Sequence, residues 1–326
     1  MVQAVERPLI EVVAPSRPEP RREHWWERRK NVPYLLIAPA VVFELLVHFI
    51  PMVAGVVMSF FKLTLFTIHH WSSAPFAGFS NYRIALSFNG PIGSQLLRSF
   101  AVTVPYTVLV VAISWVIGMV AATGVSAEFK GRGWLRSAYL VPYALPVYVA
   151  VIIWSFMLQR DTGVVNHVLV SNLHLLHSPP FWLLGTKAFW SMVATAVWRW
   201  FPFAFLILLA ALQSVPTDQY EAAAVDGAGP WRQFRAITMP SLRGANLVLV
   251  LVMFLWTFND FNTPYVLFGN SPPSPADLLD LHIYTTSFNS WNFGLGSAMS
   301  VLLMVFLIIV SMVYLRVLRR GGELHF

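Results

Sequence analysis

Long runs of apolar residues separated by short polar segments dominate the chain from residue 33 onward. A helix needs roughly 20 apolar residues to cross the hydrocarbon core of a bilayer. The runs are continuously apolar and do not alternate, so they predict helices and not the strands of a membrane barrel. Membrane-spanning helices are expected at residues 33–61, 99–124, 135–158, 189–212, 245–268 and 296–315. The predicted fold class is an all-α integral membrane protein with six transmembrane helices.

The composition supports this class and excludes a soluble domain. Of the 326 residues, 57% are hydrophobic and 11% are charged, and the mean hydropathy is +0.62. Soluble domains carry about 25% charged residues. Because the chain has no cysteine, disulfides, thiolate metal sites and cysteine nucleophiles are excluded.

The basic residues are distributed unevenly between the two sides of the predicted membrane. They concentrate in the N-terminal tail, in the segments after the second and fourth spans, and in the C-terminal tail. The positive-inside rule then places both termini and the loops at 125–134 and 213–244 in the cytoplasm. The net charge of +7 is therefore explained by topology, and no nucleic acid is expected as a partner. Residues 1–32 are expected to be a cytoplasmic tail with an interfacial segment around Trp25 and Trp26.

The loop at 213–243 has the sequence of a structured element. Pro216 and Thr217 are typical of a helix start, and Gly227 is suited to end that helix in a left-handed conformation. Pro230 can open a second short helix, which Pro240 ends. The pattern predicts two short helices joined by a tight turn, and these could serve either to dock a partner or only to link two spans.

Ionisable residues inside the spans form a second candidate site, because such residues are costly in a bilayer. Arg199 of the fourth span and Asp260 of the fifth are expected at similar depth and could pair, while Glu44 lies near the middle of the first span. Helical spacing places Trp256, Asn259, Asp260 and Thr263 on one face. This mixture of an aromatic ring, an amide and a carboxylate suits a neutral sugar, but it is equally typical of a polar seam between helices. The candidate substrate-path residues are Arg199, Trp256, Asn259, Asp260, Asn262 and Tyr265.

The 213–243 loop carries a resemblance to a known family. Glu221-Ala222-Ala223, Gly227, Ile237 and Pro240 reproduce the spacing of the EAA signature found in inner-membrane permease subunits of binding-protein-dependent ABC importers, with Met239 where leucine is usual. The stretches 198–202 and 212–216 before the signature are similar to the MalF/UgpA-like permeases of sugar importers. After the signature, the stretches 258–262 and 294–298 together with Ile283, Tyr284 and Phe288 are similar to them as well. The loop at 269–295 departs from that branch.

The resemblance implies a type I ABC importer permease fold over residues 33–326 and a location in the prokaryotic inner membrane. It implies a non-catalytic translocation subunit that forms half of a pore with a second permease subunit. Two copies of a cytoplasmic ABC ATPase would use ATP and Mg, since the chain itself has no P-loop motif and no cofactor or metal is expected on it. An extracytoplasmic sugar-binding protein would deliver the solute.

Within this scheme the signature would be the coupling helix that docks on the ATPase. The coupling residues implied are Glu221, Ala222, Ala223, Asp226, Gly227, Ile237 and Pro240. The branch implies a di- or oligosaccharide resembling maltose or trehalose. Two alternatives are an importer permease for a glycerol-phosphate-like solute and an integral-membrane enzyme such as a lipid-linked sugar transferase.

Overall fold

A computed structural model describes residues 32–320. The predicted tail at 1–32 therefore lies outside the described residues except for Val32. Within the described range no strand is present, and the chain forms helices joined by turns and two isolated bridges. The main helices are α1 (Val32–Met58), α2 (Ser80–Ala85), α3 (Pro91–Gly124), α4 (Arg132–Ala144), α5 (Val147–Met157), α6 (Gly185–Leu212), α7 (Thr217–Val225), α8 (residues 230–241), α9 (Arg243–Phe258), α10 (Asn262–Phe268), α11 (Leu279–Tyr284) and α12 (Phe293–Arg320). Shorter helical segments lie at residues 71–73, 164–172 and 274–276.

The helices long and apolar enough to cross a membrane agree with the sequence prediction. Five such segments are found in the described range, namely α1, α3, α6, α9 together with α10, and α12. The pair α4 and α5 makes a sixth if it is counted as one bent span. The all-helical membrane fold is thus confirmed.

The third span is not the continuous helix that the sequence predicts. Its two halves, α4 and α5, meet at an angle of 93°. Leu145, which precedes Pro146, has φ −77° and ψ 139°, the extended conformation that a residue before proline prefers. The proline also has no N–H to continue the helix, so the chain turns sharply at this point.

The fifth span is also interrupted. Helix α9 ends at Phe258 and α10 begins at Asn262, so residues 259–261 lie in the break. The prediction that Trp256, Asn259, Asp260 and Thr263 share one helical face is therefore wrong: Trp256 and Asn259 are exposed, whereas Asp260 is buried. Non-helical backbone at membrane depth is tolerated only where protein or water satisfies it.

The core of the membrane domain is built on the pair α3 and α6, which make the most extensive contact between two helices. A Cβ added to Gly118 of α3 would lie 2.8 Å from the Cβ of Ala204 and 2.8 Å from the backbone nitrogen of Phe205 on α6. Small residues allow such close approach between membrane helices, whose association gains little from the hydrophobic effect. The broken segments α5 and α10 also pack on each other.

The N-terminal unit comprises residues 1–53, of which 32–53 are described. These residues are helical and contain a π-helical turn at Leu45–Phe49. The side chains of Glu44 and His48 lie 3.2 Å apart on the surface of this helix.

Candidate functional site

The segment from α7 to α8 has the conformation that its sequence predicts. The chain is extended at Pro216, where α7 begins, and Gly227 has φ +75° in the left-handed region. The N–H of Gly227 donates to the carbonyl of Ala224 at 3.0 Å, and the N–H of Ala228 donates to that of Ala223 at 2.8 Å. These two bonds form a Schellman motif, which requires a left-handed residue after the helix. Glycine adopts that conformation without a steric cost.

Side-chain hydrogen bonds fix the two short helices of this segment to each other. The hydroxyls of Tyr220 and Thr238 lie 3.0 Å apart, and Gln233 Nε2 donates to the carbonyl of Ala228 at 2.9 Å. Two large apolar side chains nevertheless point outward, since Val225 is 88% exposed and Trp231 is 72% exposed. The segment is a projection that these hydrogen bonds stabilise, and it carries exposed apolar side chains.

The signature residues lie along this projection. Exposed positions are Glu221, Ala222, Asp226, Gly227 and Pro240, while Ala223 and Ile237 are half-buried. An exposed carboxylate beside small alanine side chains leaves the backbone of α7 open to close approach by another protein.

Asp260 is the centre of a buried polar cluster that joins three spans. Its carboxylate accepts hydrogen bonds from the hydroxyls of Tyr106 on α3 (2.7 Å) and Thr263 on α10 (2.6 Å). It also accepts the backbone N–H of Thr263 at 3.1 Å, which caps the first turn of α10. Arg199 of α6 completes the cluster with an ion pair of 3.2 Å. The pair expected between Arg199 and Asp260 is therefore present.

The surroundings of this ion pair bury Asp260 and cover most of Arg199. The side chain of Asp260 is 2% exposed and that of Arg199 is 14% exposed. The guanidinium of Arg199 lies 4.6 Å over the ring of Trp200, and that ring stacks on Trp256 at 5.5 Å. With four donor contacts from the protein, the carboxylate of Asp260 is fully engaged in holding α3, α6 and α10 together.

A groove whose wall is largely apolar but carries four polar side chains, called the polar groove below, runs between α9, α11 and α12 and is distinct from this cluster. Its volume is about 590 Å³. Polar side chains on its wall are Asn259 from the break after α9, Asp280 from α11, and Ser300 and Ser311 from α12. Asn259 is exposed, and its amide nitrogen donates to the carbonyl of Leu255 at 2.7 Å, so its amide oxygen remains available to a ligand.

A second groove on the other side of α12 is apolar. It has a volume of about 290 Å³, and its wall consists of leucine, phenylalanine and methionine side chains. The lining residues are Leu86, Phe88, Leu96, Leu97, Phe100, Leu279, Met299, Leu302, Leu303 and Phe306. Helix α12 therefore borders one groove with a wholly apolar wall and one to which it contributes two serines.

Comparison with known proteins identifies the family. The sequence model of the family described as "Binding-protein-dependent transport system inner membrane component" matches residues 114–321. The chain belongs to this family.

Two further proteins show the extent of the similarity. The "Inner membrane ABC transporter permease protein YcjO" of Escherichia coli (strain K12) is 34% identical over 88% of this chain and 94% of its own length. The "Trehalose/maltose transport system permease protein MalF" of Thermococcus litoralis is 31% identical over 89% of this chain and 94% of its own length. The relatives are therefore matched over nearly their whole length.

A solved structure has the same fold. It is described as a bacterial alginate ABC transporter in complex with an alginate pentasaccharide-bound periplasmic protein. One of its chains is 18% identical to this permease, with a TM-score of 0.76 over 93% of this chain and all of that one. The chain is thus a sugar ABC importer permease of the inner membrane, a non-catalytic translocation subunit. The alternative of a membrane enzyme is not favoured.

The candidate substrate-path residues of this permease fall into three groups. Arg199 and Asp260 form the buried pair, Trp256 stacks on Trp200 beside it, and Asn259 lines the polar groove. The remaining two residues start α10, where Asn262 is half-buried and Tyr265 stacks on Phe261 at 4.8 Å and meets Tyr284 at 5.5 Å.

Sequence reasoning missed Tyr106, Asp280 and the groove serines. Tyr106 lies in an apolar run with no charge to mark it, and Ser300 and Ser311 are common residues in membrane helices. Asp280 lies in the loop between the fifth and sixth predicted spans, where an acid needs no explanation. In the structure that loop packs against α3. Burial and the nearby charge of Asp260 raise the pKa of the Asp280 carboxyl to about 7.

Proposed function

We propose that this permease forms half of the pore of an ATP-driven importer for a neutral di- or oligosaccharide such as maltose or trehalose. The polar groove carries the proposal. Its amide, carboxyl and hydroxyl groups are set in a wall that is otherwise apolar, and an ionisable group in a bilayer faces protein or water and not lipid. Its volume of about 590 Å³ lies in the range of small-molecule sites, about 300–1,000 Å³.

The charges near the groove favour an uncharged solute over a glycerol-phosphate-like one. Phosphate recognition generally relies on arginine or lysine, and no described residue that lines the groove is basic. Arg199, the cation of the fourth span, is engaged by Asp260. The Thermococcus litoralis relative, which is named for trehalose and maltose transport, supports a disaccharide.

The α7–α8 projection would couple the pore to ATP hydrolysis. In this proposal both termini and residues 213–243 face the cytoplasm, and α7 docks on one of two ATPase copies that use ATP and Mg. Glu221 makes the polar contact, Ala222 and Ala223 permit close approach, and Gly227 sets the angle of the turn. A second permease subunit completes the pore, and an extracytoplasmic sugar-binding protein delivers the solute.

The groove is tested by replacing Asn259 with alanine in the complete importer and measuring uptake of radiolabelled maltose and trehalose. A lost hydrogen bond is worth about 1 kcal/mol, so the apparent KM is expected to rise about fivefold. Ser155→Ala is the matched control, because this serine lies on α5 and its hydroxyl bonds only the carbonyl of Ile152 in its own helix. Unchanged KM and maximal rate in Asn259→Ala and in Asn262→Ala would contradict the proposed path.

The coupling role is tested with Gly227→Pro. Proline holds φ near −65° and cannot adopt the φ of +75° found at this position, so the turn must change. We expect the variant to insert and assemble but to take up less sugar per ATP hydrolysed. Gly131→Pro is the control, because Gly131 also has a positive φ but lies outside the signature. Normal coupling in Gly227→Pro would refute the role.

A further inference from the structure

Three aspartates follow α9 in the chain, at positions 260, 277 and 280, and they differ in their partners. Asp260 has four donor contacts from the protein. Asp277 accepts a hydrogen bond from Ser99 at 2.8 Å and pairs with His282 at 3.1 Å. Asp280 has no hydrogen bond or ion pair with any residue between 32 and 320, and it lines the polar groove.

Asp280 is held in this position by the packing of α11 and not by its own contacts. The backbone N–H of the adjacent Leu279 donates to Thr103 on α3 at 2.8 Å, and Leu279 and Leu281 are buried. This packing fixes the start of α11 against α3 and leaves the carboxyl of Asp280 half-buried at the groove wall. A partly desolvated carboxylate without a partner costs free energy, so its presence points to a role in the groove.

We propose that Asp280 sets the charge selectivity of the groove, because its carboxylate disfavours anionic solutes and leaves the path open to uncharged saccharides. The inference rests on the proposed function of the groove as the solute path, and it names the class of solute that the path rejects. Asp280 acts on a solute through the electric field of its carboxylate, because no basic side chain among the described residues of the groove neutralises this charge.

The other acidic groups near α11 have hydrogen-bonding or ionic partners. The charge of Asp260 on the α9–α10 side is balanced by Arg199 from α6 at 3.2 Å. His282 and Asp277 of the α11 segment pair with each other and line a separate pocket that also contains Arg98 of α3. On α12 the groove-lining residues are serines and apolar side chains. Asp280 is therefore the uncompensated charge among the described residues of the groove.

The absence of cysteine from the chain permits a direct measurement of this field. A reporter cysteine replaces Ser300 on the groove wall, in the complete importer held in lipid nanodiscs, both without nucleotide and trapped with ATP and vanadate. Reaction rates are measured with a cationic reagent, trimethylammonioethyl methanethiosulfonate, and an anionic one, sulfonatoethyl methanethiosulfonate, by the mass of this chain. Each rate is compared between Asp280, Asp280→Asn and Asp280→Glu backgrounds.

The ratio of cationic to anionic rates is expected to fall about tenfold in Asp280→Asn at pH 8, because the loss of a nearby negative charge changes the two rates in opposite directions. Asp280→Glu should keep the high ratio because it keeps the charge. With Asp280 present the ratio should rise from pH 6 to pH 8, and with asparagine it should not. The control Ser126→Cys lies beyond the opposite end of α3, and Asp280→Asn should not change its ratio.

Two results would overturn the proposal, and they are distinguishable. If the cysteine at 300 reacts but its rate ratio is the same with aspartate and asparagine at position 280, Asp280 does not set the charge selectivity and the groove remains the solute path. If the cysteine at 300 reacts with neither reagent in either nucleotide state, the groove is closed to water and both the solute path and the role of Asp280 are contradicted.

Discussion

Replacing Asp260 with asparagine is expected to destabilise the membrane domain, because the carboxylate of Asp260 joins three spans. The change keeps the shape of the side chain but removes the charge that balances Arg199. The Arg199 side chain is 14% exposed, so its guanidinium cannot recover full hydration. Breaking a buried ion pair by removing one partner costs about 3–5 kcal/mol.

A double-mutant cycle measures this coupling. The variants are Asp260→Asn, Arg199→Met and the combination of both, and the assay is the midpoint of thermal unfolding of the permease within the importer complex. A change of 1 kcal/mol shifts the midpoint by about 2–4 °C for domains of 150–250 residues, so Asp260→Asn should melt at least about 6 °C lower. The double variant should recover part of the loss, because it leaves no unpaired charge.

One outcome would refute the reasoning that Asp260 is structural. Suppose that Asp260→Asn unfolds at the same midpoint as the wild type while the apparent KM for sugar rises. Asp260 would then contact the solute, and its four protein contacts would contribute little to the stability of the domain. Asn259→Ala is the companion measurement, because Asn259 is exposed and should affect KM without lowering the midpoint.

Three further changes test the packing and the electrostatics. Gly118→Val should destabilise the domain by about 1–3 kcal/mol through overpacking, since a Cβ at this position would lie 2.8 Å from α6. The control is Gly124→Val at the end of the same helix, where a Cβ would have no neighbour within 4 Å. This control should leave the midpoint of thermal unfolding unchanged. Thr103→Val removes the acceptor for the backbone N–H of Leu279 at the start of α11 and should lower the free energy of unfolding by about 1–3 kcal/mol. The control Thr123→Val loses hydrogen bonds only within its own helix and should lower it less in the same assay. The pKa of Asp280 is raised from 3.8 to about 7, so the folded state keeps a proton that the unfolded state loses, and wild-type stability falls as pH rises through this interval. Asp280→Asn should therefore unfold at the same temperature as the wild type at pH 4 and be more stable by up to about 4 kcal/mol above pH 7, and a constant difference across this range would contradict the shift.

Local sequence signals were sufficient to predict the spanning helices, the turn after α7 and one buried ion pair. The length of each apolar run predicts a spanning helix because the bilayer sets that length. Gly227 predicts the turn after α7 because few other residues adopt its backbone conformation. The pairing of Arg199 with Asp260 follows from depth alone, since two opposite charges in a bilayer are far less costly together than apart.

The breaks in the helices depend on tertiary packing and could not be predicted from the local sequence. Pro105 and Pro202 lie inside the continuous helices α3 and α6, whereas Pro146 separates two helices by 93°. The same residue type therefore gives opposite results in one membrane domain. The outcome depends on whether neighbouring groups satisfy the backbone carbonyl that each proline frees, which is a property of the folded bundle.

Asp260 in the fifth-span break and Asp280 on α11 show that the partners of a carboxylate, and not the residue type, distinguish its role. A carboxylate at this depth is stable either when protein donors surround it or when it borders water. Asp260 meets the first condition through Tyr106, Thr263 and Arg199, and Asp280 meets only the second. The sequence directs attention to Asp260 because it lies within an apolar run, yet the half-buried and unpartnered carboxyl of Asp280 at the groove wall is the one that a passing solute can contact. The position of α11 against α3 therefore decides which carboxylate faces the groove, and that position comes from a hydrogen bond between residues 103 and 279 that no local pattern contains.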